Sequence, residues 1–345
     1  MILEKLSDAR GVSGDESAVR ALIAEQLEKS VDEYRIDALG NLIALKRAAR
    51  KGASRAPSLK ILVAAHMDEV GLLITHIDCD GYLLFEKVGG IDDRILPSSS
   101  VLVGAGGVPG VIGFKPRHRS TESERKKVVP AEDLRIDIGA TSREDAARVV
   151  SPGDYVTFAT QYAPFGDNCA RGKALDDRAG CALLLELTRE MYPFDFYAVF
   201  TTQEEIGARG ARAAGFSVAP EIALVLEATV CDDLPRSREQ SPGTELGAGP
   251  ALTIADRGLL ADKRLVRILE DTAREHRLPY QFKQPLIGGT DAGQLHRVRQ
   301  GVPSAVVSIP ARYIHSPAAV ISLDDFANAL KLLRAALPKF VGAIE

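Results

Sequence analysis

The sequence predicts an α/β protein with a doubly wound mixed sheet, helices on both faces, and a small inserted β-barrel domain. Short apolar runs such as 59–65 and 221–226 alternate with helical segments, which is typical of strands buried on both faces. Between residues 69 and 165 the sequence pattern changes to short β-like runs separated by glycine and proline. We therefore assign residues 1–68 and 166–345 to a larger α/β domain and 69–165 to the insertion.

Composition sets broad limits on the function. The chain has 345 residues, enough for a large domain with an insertion, and its 46% hydrophobic and 26% charged content is ordinary for a globular protein. A net charge of −4 gives no argument for nucleic acid or an anionic membrane. No apolar run reaches the ~20 residues that span a bilayer, and the N-terminus lacks a signal-peptide core. The four cysteines form no CxxC pair, so we expect free thiols and a cytoplasmic protein.

The N-terminal third contains the first chemical signal. Residues 1–30 are predicted to be helical, with Ser13 and Glu16 as a capping box. Residues 34–46 indicate a strand, a turn and a second strand. The buried strand 59–65 ends in His66-Met67-Asp68, where a histidine and a nearby aspartate suit a metal ligand and the carboxylate that orients it.

The inserted region has little helical periodicity apart from 142–149, and a charged loop covers 115–127. His76 and His118 have no acidic or cysteine partner at ligand spacing, so we interpret both as structural or exposed. The predicted strands are 70–76, 82–87, 101–103, 111–114, 134–138 and 155–158.

Two pairs of carboxylates occur in the second half of the chain. Asp176 and Asp177 open an apolar helix, where they could cap it or where one could bridge two metal ions; the apolar surroundings favour the metal. The strand 198–202 runs into Glu204 and Glu205, whose burial is costly unless a metal ion or a proton in transit uses their charge. The alternative without a metal or proton is that both glutamates lie in the first turn of a helix, where the helix dipole favours acidic residues.

The remaining candidates come from three C-terminal segments. The strand 221–226 ends in Glu227, and the buried strand 303–309 leads to His315. Thr290 and Asp291 lie in a glycine turn before a helix, where they line a substrate pocket or merely cap that helix; both alternatives stay open.

These signals converge because the carboxyl ends of strands in an open α/β sheet meet at one edge, where ligands bind. Nitrogen and oxygen donors without cysteine suit Zn²⁺, Co²⁺ or Mn²⁺. Five ligands with one shared carboxylate fit two ions about 3.5–4 Å apart, with one glutamate left to accept a proton from water.

Eight motifs give the chain a resemblance to a known family. They are AAHMDEVG, VGGIDDRILP, GVIGFKP, IDIGA, KALDDRAG, TTQEEIGARGA, GGTDAG and RYIHSP. With them the chain resembles the co-catalytic metallo-aminopeptidases that include the tetrahedral (TET) aminopeptidases and bacterial glutamyl aminopeptidases. The resemblance covers essentially the whole chain.

The resemblance implies a zinc-peptidase/phosphorylase-like fold with a PDZ-like barrel, and a role for each candidate residue. One metal is bound by His66 and Glu227, the other by Glu205 and His315, and Asp176 bridges them. The catalytic residues are Glu204, as general base, and Asp68, which orients His66. Many members carry Asp where this chain has Glu227, and the bridging Asp176 precedes a cis peptide bond.

The implied activity is removal of N-terminal residues from peptides with a free N-terminus, by attack of a metal-bridging hydroxide. The insertion is implied to mediate dimerisation and assembly into a tetrahedral dodecamer. A two-metal N-deacylase acting on small acylated compounds is the alternative enzyme. A peptide-binding module on an inactive scaffold fits less well, because the ligand set and Glu204 are complete. Some relatives carry a cellulase label, which nothing in this sequence supports.

Overall fold

The computed structural model describes residues 2–49, 58–233, 243–283, 286 and 288–343. Its strands are β1 Glu33–Ile36, β2 Leu42–Lys46, β3 Lys60–His66, β4 Gly71–Ile77, β5 Leu83–Val88, β6 Ser100–Val103, β7 Val108–Gly113, β8 Arg135–Asp137, β9 Tyr155–Phe158, β10 Ala163–Phe165, β11 Cys169–Gly172, β12 Asp195–Thr201, β13 Ile222–Val230, β14 Ala251–Leu252, β15 Gln281–Phe282, β16 Ser304–Arg312 and β17 Ala319–Ser322. Its helices are α1 Ile2–Asp8, α2 Ser17–Leu27, α3 Glu122–Arg125, α4 Arg143–Ala146, α5 Leu175–Leu187, α6 Arg209–Val218, α7 Lys263–Glu275, α8 Ala292–Leu295 and α9 Leu323–Ala336.

A large mixed sheet forms the body of the molecule, in the order β1-β2-β12-β3-β13-β16-β17-β11-β10. The four central strands β12, β3, β13 and β16 are parallel, and antiparallel strands extend the sheet on both sides. Because the central strands are parallel, their carboxyl ends lie at one edge. The mixed α/β architecture predicted from the sequence is confirmed.

Apolar side chains of the central strands point alternately to two separate cores, as the strand period of two requires. In β3, Ile61 and Val63 belong to the core under α1, α2, α5, α7 and α9. Their neighbours Leu62 and Ala64 belong to the core under α6 and α8. The sheet is therefore covered by helices on both faces, which explains why β3 is a continuous apolar run in the sequence.

A closed six-stranded antiparallel barrel is inserted in the chain between β3 and β10 of the large sheet. Its strand order is β4-β5-β8-β7-β6-β9. It has its own core, to which Leu72, Phe85, Ile112 and Val156 contribute. The barrel strands run from residue 71 to residue 158, and β10, the next strand along the chain, pairs with β11 in the large sheet. The insertion predicted from the loss of helical periodicity is thus a barrel.

Several local predictions were wrong. The predicted capping box does not form: α2 has Glu16 at its N-cap without a side-chain hydrogen bond, and Ser13 donates instead to Asp68. The helix expected over 142–149 is only the four residues of α4. The charged loop 115–127 contains the short helix α3, which has a capping box of its own.

Two differences concern the predicted ligands. Asp176 and Asp177 lie at the start of α5 but have non-helical backbone angles, so regular helix begins after them. The peptide bond between them is cis, as the resemblance implied. Glu227 lies inside β13 and not past its end, because that strand continues to Val230. Within the described residues, no helix is long and apolar enough to cross a membrane.

Candidate metal centre

The candidate site lies at the carboxyl edge of the parallel strands. His66 is the last residue of β3 and stands opposite Thr201, the last residue of β12. Glu204 and Glu205 follow β12 after two intervening residues, so they lie past the end of the strand that pairs with His66. Glu227 comes from β13, the strand on the other side of β3. The order of the central strands therefore brings together residues from separate segments, with His66 more than a hundred residues before the others in the chain.

Asp176 lies between the two histidines and contacts both with different oxygens. Its Oδ1 is 3.1 Å from His66 Nε2, and its Oδ2 is 3.1 Å from His315 Nε2. Glu227 Oε1 is 3.2 Å from His66 Nε2, and Glu205 Oε2 is 3.3 Å from His315 Nε2. Two histidine–glutamate pairs thus flank one shared carboxylate.

These distances are those expected between ligands of one metal ion. Bonds of about 2.0–2.1 Å in a tetrahedral site place neighbouring ligand atoms about 3.3 Å apart. Ligand atoms of His66, Asp176 and Glu205 lie within 4.8 Å of one another, as do those of His66, Asp177 and Glu227. The residues present therefore fit divalent metal ions, and the donor set of imidazole and carboxylate is the one such ions prefer.

Asp177 is a possible ligand to which the family resemblance assigns no metal role. Its Oδ1 accepts a hydrogen bond from the backbone N–H of Gly180, 2.9 Å away, so it does cap the regular part of α5. Its Oδ2 is buried and has no hydrogen-bond partner among the described residues. Asp176, with one oxygen near each histidine, is the better placed of the two to bridge.

Burial and like charge shift the protonation of the cluster. Burial, with the charge of Asp176, raises the pKa of Glu205 to about 8. Burial also raises the pKa of Glu227 to about 8, against the opposing charge of His66. Burial disfavours the charged form of His315, but its hydrogen bond to Asp176 and the charge of Glu205 outweigh this and raise its pKa to about 9. In the absence of bound cations, the cluster therefore holds protons at neutral pH.

Asp68 is fully buried and holds the segment that carries both glutamates. Its Oδ1 accepts the backbone N–H of Glu204 at 3.0 Å, and its Oδ2 accepts that of Glu205 at 3.1 Å. The Ser13 hydroxyl donates to the same Oδ2 at 2.6 Å. The Asp68 carboxylate lies 3.5 Å from His66 Nδ1, whereas the Asp68 carbonyl oxygen is closer, at 3.1 Å. Asp68 thus positions the glutamate segment at least as directly as it positions His66.

Glu204 is partly buried and lies near enough to the ligand cluster for the charges to interact. Burial raises its pKa well above the ordinary value, and the charges of Glu227, Asp291 and Glu205 add to the shift. Asp291 is itself buried and accepts a hydrogen bond from Thr201, while Thr290 lies 3.5 Å from Asp256. The structure therefore places Asp291 close enough to Glu204 to raise the pKa of that glutamate, whereas the hydroxyl of Thr290 faces Asp256.

Known proteins are similar to this chain in fold and in sequence. The family model of the M42 glutamyl aminopeptidases matches residues 40–332. The chain belongs to the M42 glutamyl aminopeptidase family. It is accordingly an aminopeptidase, a class of hydrolase.

Relatives from this family match nearly the whole length of the chain. The lysyl aminopeptidase of Pyrococcus furiosus is 33% identical over 97% of this chain and 96% of its own. The TET1 peptidase of Pyrococcus horikoshii, which can assemble into a tetrahedron or a large octahedral shell, is 32% identical with a TM-score of 0.84, over 97% of both chains. A Thermotoga maritima structure named an endoglucanase is 38% identical with a TM-score of 0.80, over 99% of both chains.

Sequence reasoning missed the groups that hold this M42 site in place. Arg178 is fully buried in α5, and its guanidinium donates to the carbonyl oxygen of Met67, between His66 and Asp68, at 2.7 Å. It also donates to the carbonyl oxygens of Leu6 and Ala9. An arginine directly before the apolar helical run 179–185 was the signal that could have revealed it.

Two further supports come from outside the catalytic segments. Glu16 accepts the backbone N–H of Gln203, the residue before Glu204, at 3.2 Å. The carbonyl oxygen of Gly90, in the segment after β5, lies 3.1 Å from His315 Nδ1. Gln203 and His315 both have φ of 57°, a left-handed conformation that is uncommon outside glycine and that clusters at functional sites.

We expect Zn²⁺ binding to release protons. At pH 7 the metal-free cluster holds protons on Glu205, Glu227 and His315, whose pKa values are about 8, 8 and 9, and ligation requires the deprotonated forms. Affinity should therefore fall as the pH drops below these values. Calorimetric titration with Zn²⁺ in two buffers of different protonation enthalpy measures the release. Heats that do not depend on the buffer would contradict it.

Replacing Asp68 with Asn should weaken Zn²⁺ binding by about 10–100-fold, the usual cost of losing a partner that orients ligands. The amide keeps the size of the side chain but offers one acceptor oxygen to the donors that now share two. Ser13→Ala should have a smaller effect. Asp137→Asn, on the barrel surface, is the matched control, and equal affinities of the Asp68 and control variants would refute the role of Asp68.

Proposed function

We propose that this M42 enzyme is a two-metal aminopeptidase that removes N-terminal residues from peptides, with Glu204 as general base. The observation that carries the proposal is the shared carboxylate of Asp176, 3.1 Å from the Nε2 atoms of both His66 and His315. A carboxylate with one oxygen toward each of two ligand sets is the arrangement of a dinuclear centre.

The proposed ligands divide into two groups around Asp176. His66 and Glu227 would hold one divalent ion, and Glu205 and His315 the other. Zn²⁺ or Co²⁺ fits this donor set best, with Mn²⁺ as a further candidate. When bound, the ions supply Lewis acidity and lower the pKa of water toward neutrality. A cavity of about 10 Å³ borders Asp176, Glu205 and His315, which is room for roughly one water molecule.

Glu204 is the proposed proton carrier. Its backbone N–H donates to Asp68, and its partly buried side chain lies near the ligands without being one of them in this assignment. It would accept the proton of the attacking water and pass it to the departing amine. Asp68 supports this role because one carboxylate fixes both the base and the ligand Glu205.

The proposed substrate is a peptide with a free N-terminus. The excess of carboxylates around the cluster favours a cationic amino group near it. Thr290 and Asp291 are proposed as substrate-binding residues on the side of Glu204, although both are buried. An N-deacylase acting on small acylated compounds would use the same centre, so the requirement for a free amine separates the two activities.

A panel of aminoacyl-p-nitroanilides, each assayed beside its N-acetylated counterpart, tests this proposal. We expect only the free-amine compounds to release p-nitroaniline, with activity lost on chelation and restored by Zn²⁺ or Co²⁺. The same panel ranks the side chains that the enzyme accepts. Release of acetate from the acetylated compounds would establish the deacylase, and activity that survives chelation would exclude the two-metal assignment.

Glu204→Gln should lower kcat by about 10²–10⁴-fold, the usual contribution of a general base. The amide keeps the shape of the side chain but cannot accept the proton. Metal content, measured by elemental analysis, should stay at the wild-type level because Glu204 is not a proposed ligand. Wild-type turnover in this variant would remove Glu204 as the base, whereas loss of metal would make it a ligand.

Glycan hydrolysis, which the name of the Thermotoga relative raises, is not supported by the geometry. Glycosidases usually work with a metal-free pair of carboxyl groups across the scissile bond. Here the carboxylates of Asp176, Glu205 and Glu227 lie against two imidazoles at metal-ligand spacing. The arrangement suits attack of water on a carbonyl carbon.

We further propose that the inserted region 69–165 mediates dimerisation and that the dimers assemble into a tetrahedral dodecamer in the cytoplasm. The Pyrococcus horikoshii relative, which can form a tetrahedron, supports the assembly. The four cysteines are free thiols, in keeping with a reducing compartment. A monomer's mass in light scattering would contradict the assembly for this chain.

A further inference from the structure

A cavity of about 720 Å³ lies between α6 and the segment 294–299, which contains the end of α8 and the residues after it. Four of the residues that line this cavity are arginines. Arg209 and Arg212 come from α6, while Arg297 and Arg299 come after α8. We call this cavity the arginine pocket. None of the proposed metal ligands lines it, so a ligand bound there would be independent of the proposed two-metal chemistry.

The positive charge of the arginine pocket is not balanced locally. Among the described residues, no acidic side chain lines the cavity and no carboxylate forms an ion pair with Arg209, Arg212 or Arg297. The whole chain has a net charge of −4, so the pocket is a local reversal of sign. Concave surfaces of one sign concentrate counter-ions from solution.

Arg299 is held in place by its surroundings. Its Nε and Nη2 donate to the carbonyl oxygen of Phe216 at 3.0 and 2.6 Å, and its guanidinium lies 3.5 Å from the centre of the Phe216 ring. The exposed side chains of Leu39 and Phe216 add apolar surface to the wall. Gln294 adds an amide that can donate or accept.

We propose that the arginine pocket is a binding site for small organic polyanions that carry two or more phosphate or carboxylate groups. Guanidinium groups match both oxyanions with paired N–H donors, and within the described part of the chain no carboxylate competes for the three arginines other than Arg299. A volume near 720 Å³ suits an organic molecule and exceeds what a single inorganic ion would fill. The apolar wall would contact the carbon skeleton of the ligand.

Isothermal titration calorimetry on the Zn²⁺-loaded enzyme, at constant ionic strength, tests the proposal with two probes. Propane-1,3-diol bisphosphate, which carries two phosphates on a carbon chain, represents the phosphate source. An acetylated, amidated tetraglutamate, which has no free N-terminus, represents the carboxylate source. We expect at least one probe to bind with a Kd below about 1 mM. The probe that binds more tightly identifies the oxyanion that the pocket prefers.

The double substitution Arg212→Ser/Arg297→Ser should weaken that binding by at least about tenfold, because hydrogen bonds to charged groups are lost. Arg117→Ser/Arg119→Ser, on the exposed barrel loop, makes the same change in net charge and should leave Kd unchanged. Arg212→Lys keeps the charge but not the paired donors, and should give an intermediate Kd. Thermal melting of each variant confirms that it is folded.

Three outcomes would overturn the proposal. The first is that neither probe binds below about 1 mM. The second is equal weakening by the pocket and control substitutions, which would indicate a general effect of net charge. The third is loss of binding in His315→Ala with the arginines intact, which would place the probes at the metal centre. Binding retained in His315→Ala separates the arginine pocket from the candidate active site.

Discussion

The concentration of buried negative charge at one edge of the sheet is the constraint on which the rest of this structure depends. Carboxylates from four separate segments meet there, and in the described part of the chain the basic side chains that pair with them are two histidines. Burying like charges together is expensive unless protons or cations neutralise them. The raised pKa values of Glu205 and Glu227 indicate that protons meet this need when no cation is bound. A fold that tolerates this arrangement is organised to favour divalent ions.

The supporting structure explains how such a cluster keeps its shape. Asp68 remains anionic, since burial is outweighed by hydrogen bonds from its neighbours, which lower its pKa. The backbone N–H groups of Glu204 and Glu205 serve as its donors, so one charge fixes the geometry of two others. The guanidinium of Arg178 likewise fixes the carbonyl oxygen of Met67 by a hydrogen bond. It also donates to the carbonyl oxygen of Leu6, which connects α1 to the site. Backbone groups and buried charges, more than side-chain packing, therefore determine where the ligands lie.

The sequence predicted the architecture well because strand burial and ligand placement obey simple rules. The apolar run before His66 indicates a strand buried on both faces, and parallel strands place their carboxyl ends together. The same rules could not reveal Ser13 or Glu16, whose spacing looked like a helix cap but whose partners are 55 and 187 residues away. Long-range partners of this kind leave no local pattern. The arginine pocket could not be predicted for the same reason, since its four arginines form no distinctive motif along the chain.

The hydrogen bond between Gly90 and His315 bears on the modularity of the two domains. The barrel has its own core and its strands come from one continuous stretch of chain, so it looks like a cassette that could be exchanged between related enzymes. Yet a carbonyl oxygen in its loop lies 3.1 Å from the ring nitrogen of a candidate ligand 225 residues away. A side chain at position 90 would meet that ring, since an added Cβ would lie 3.3 Å from His315 Nδ1. Exchanging the barrel therefore requires keeping this loop, because the boundary of the cassette passes through the candidate metal centre.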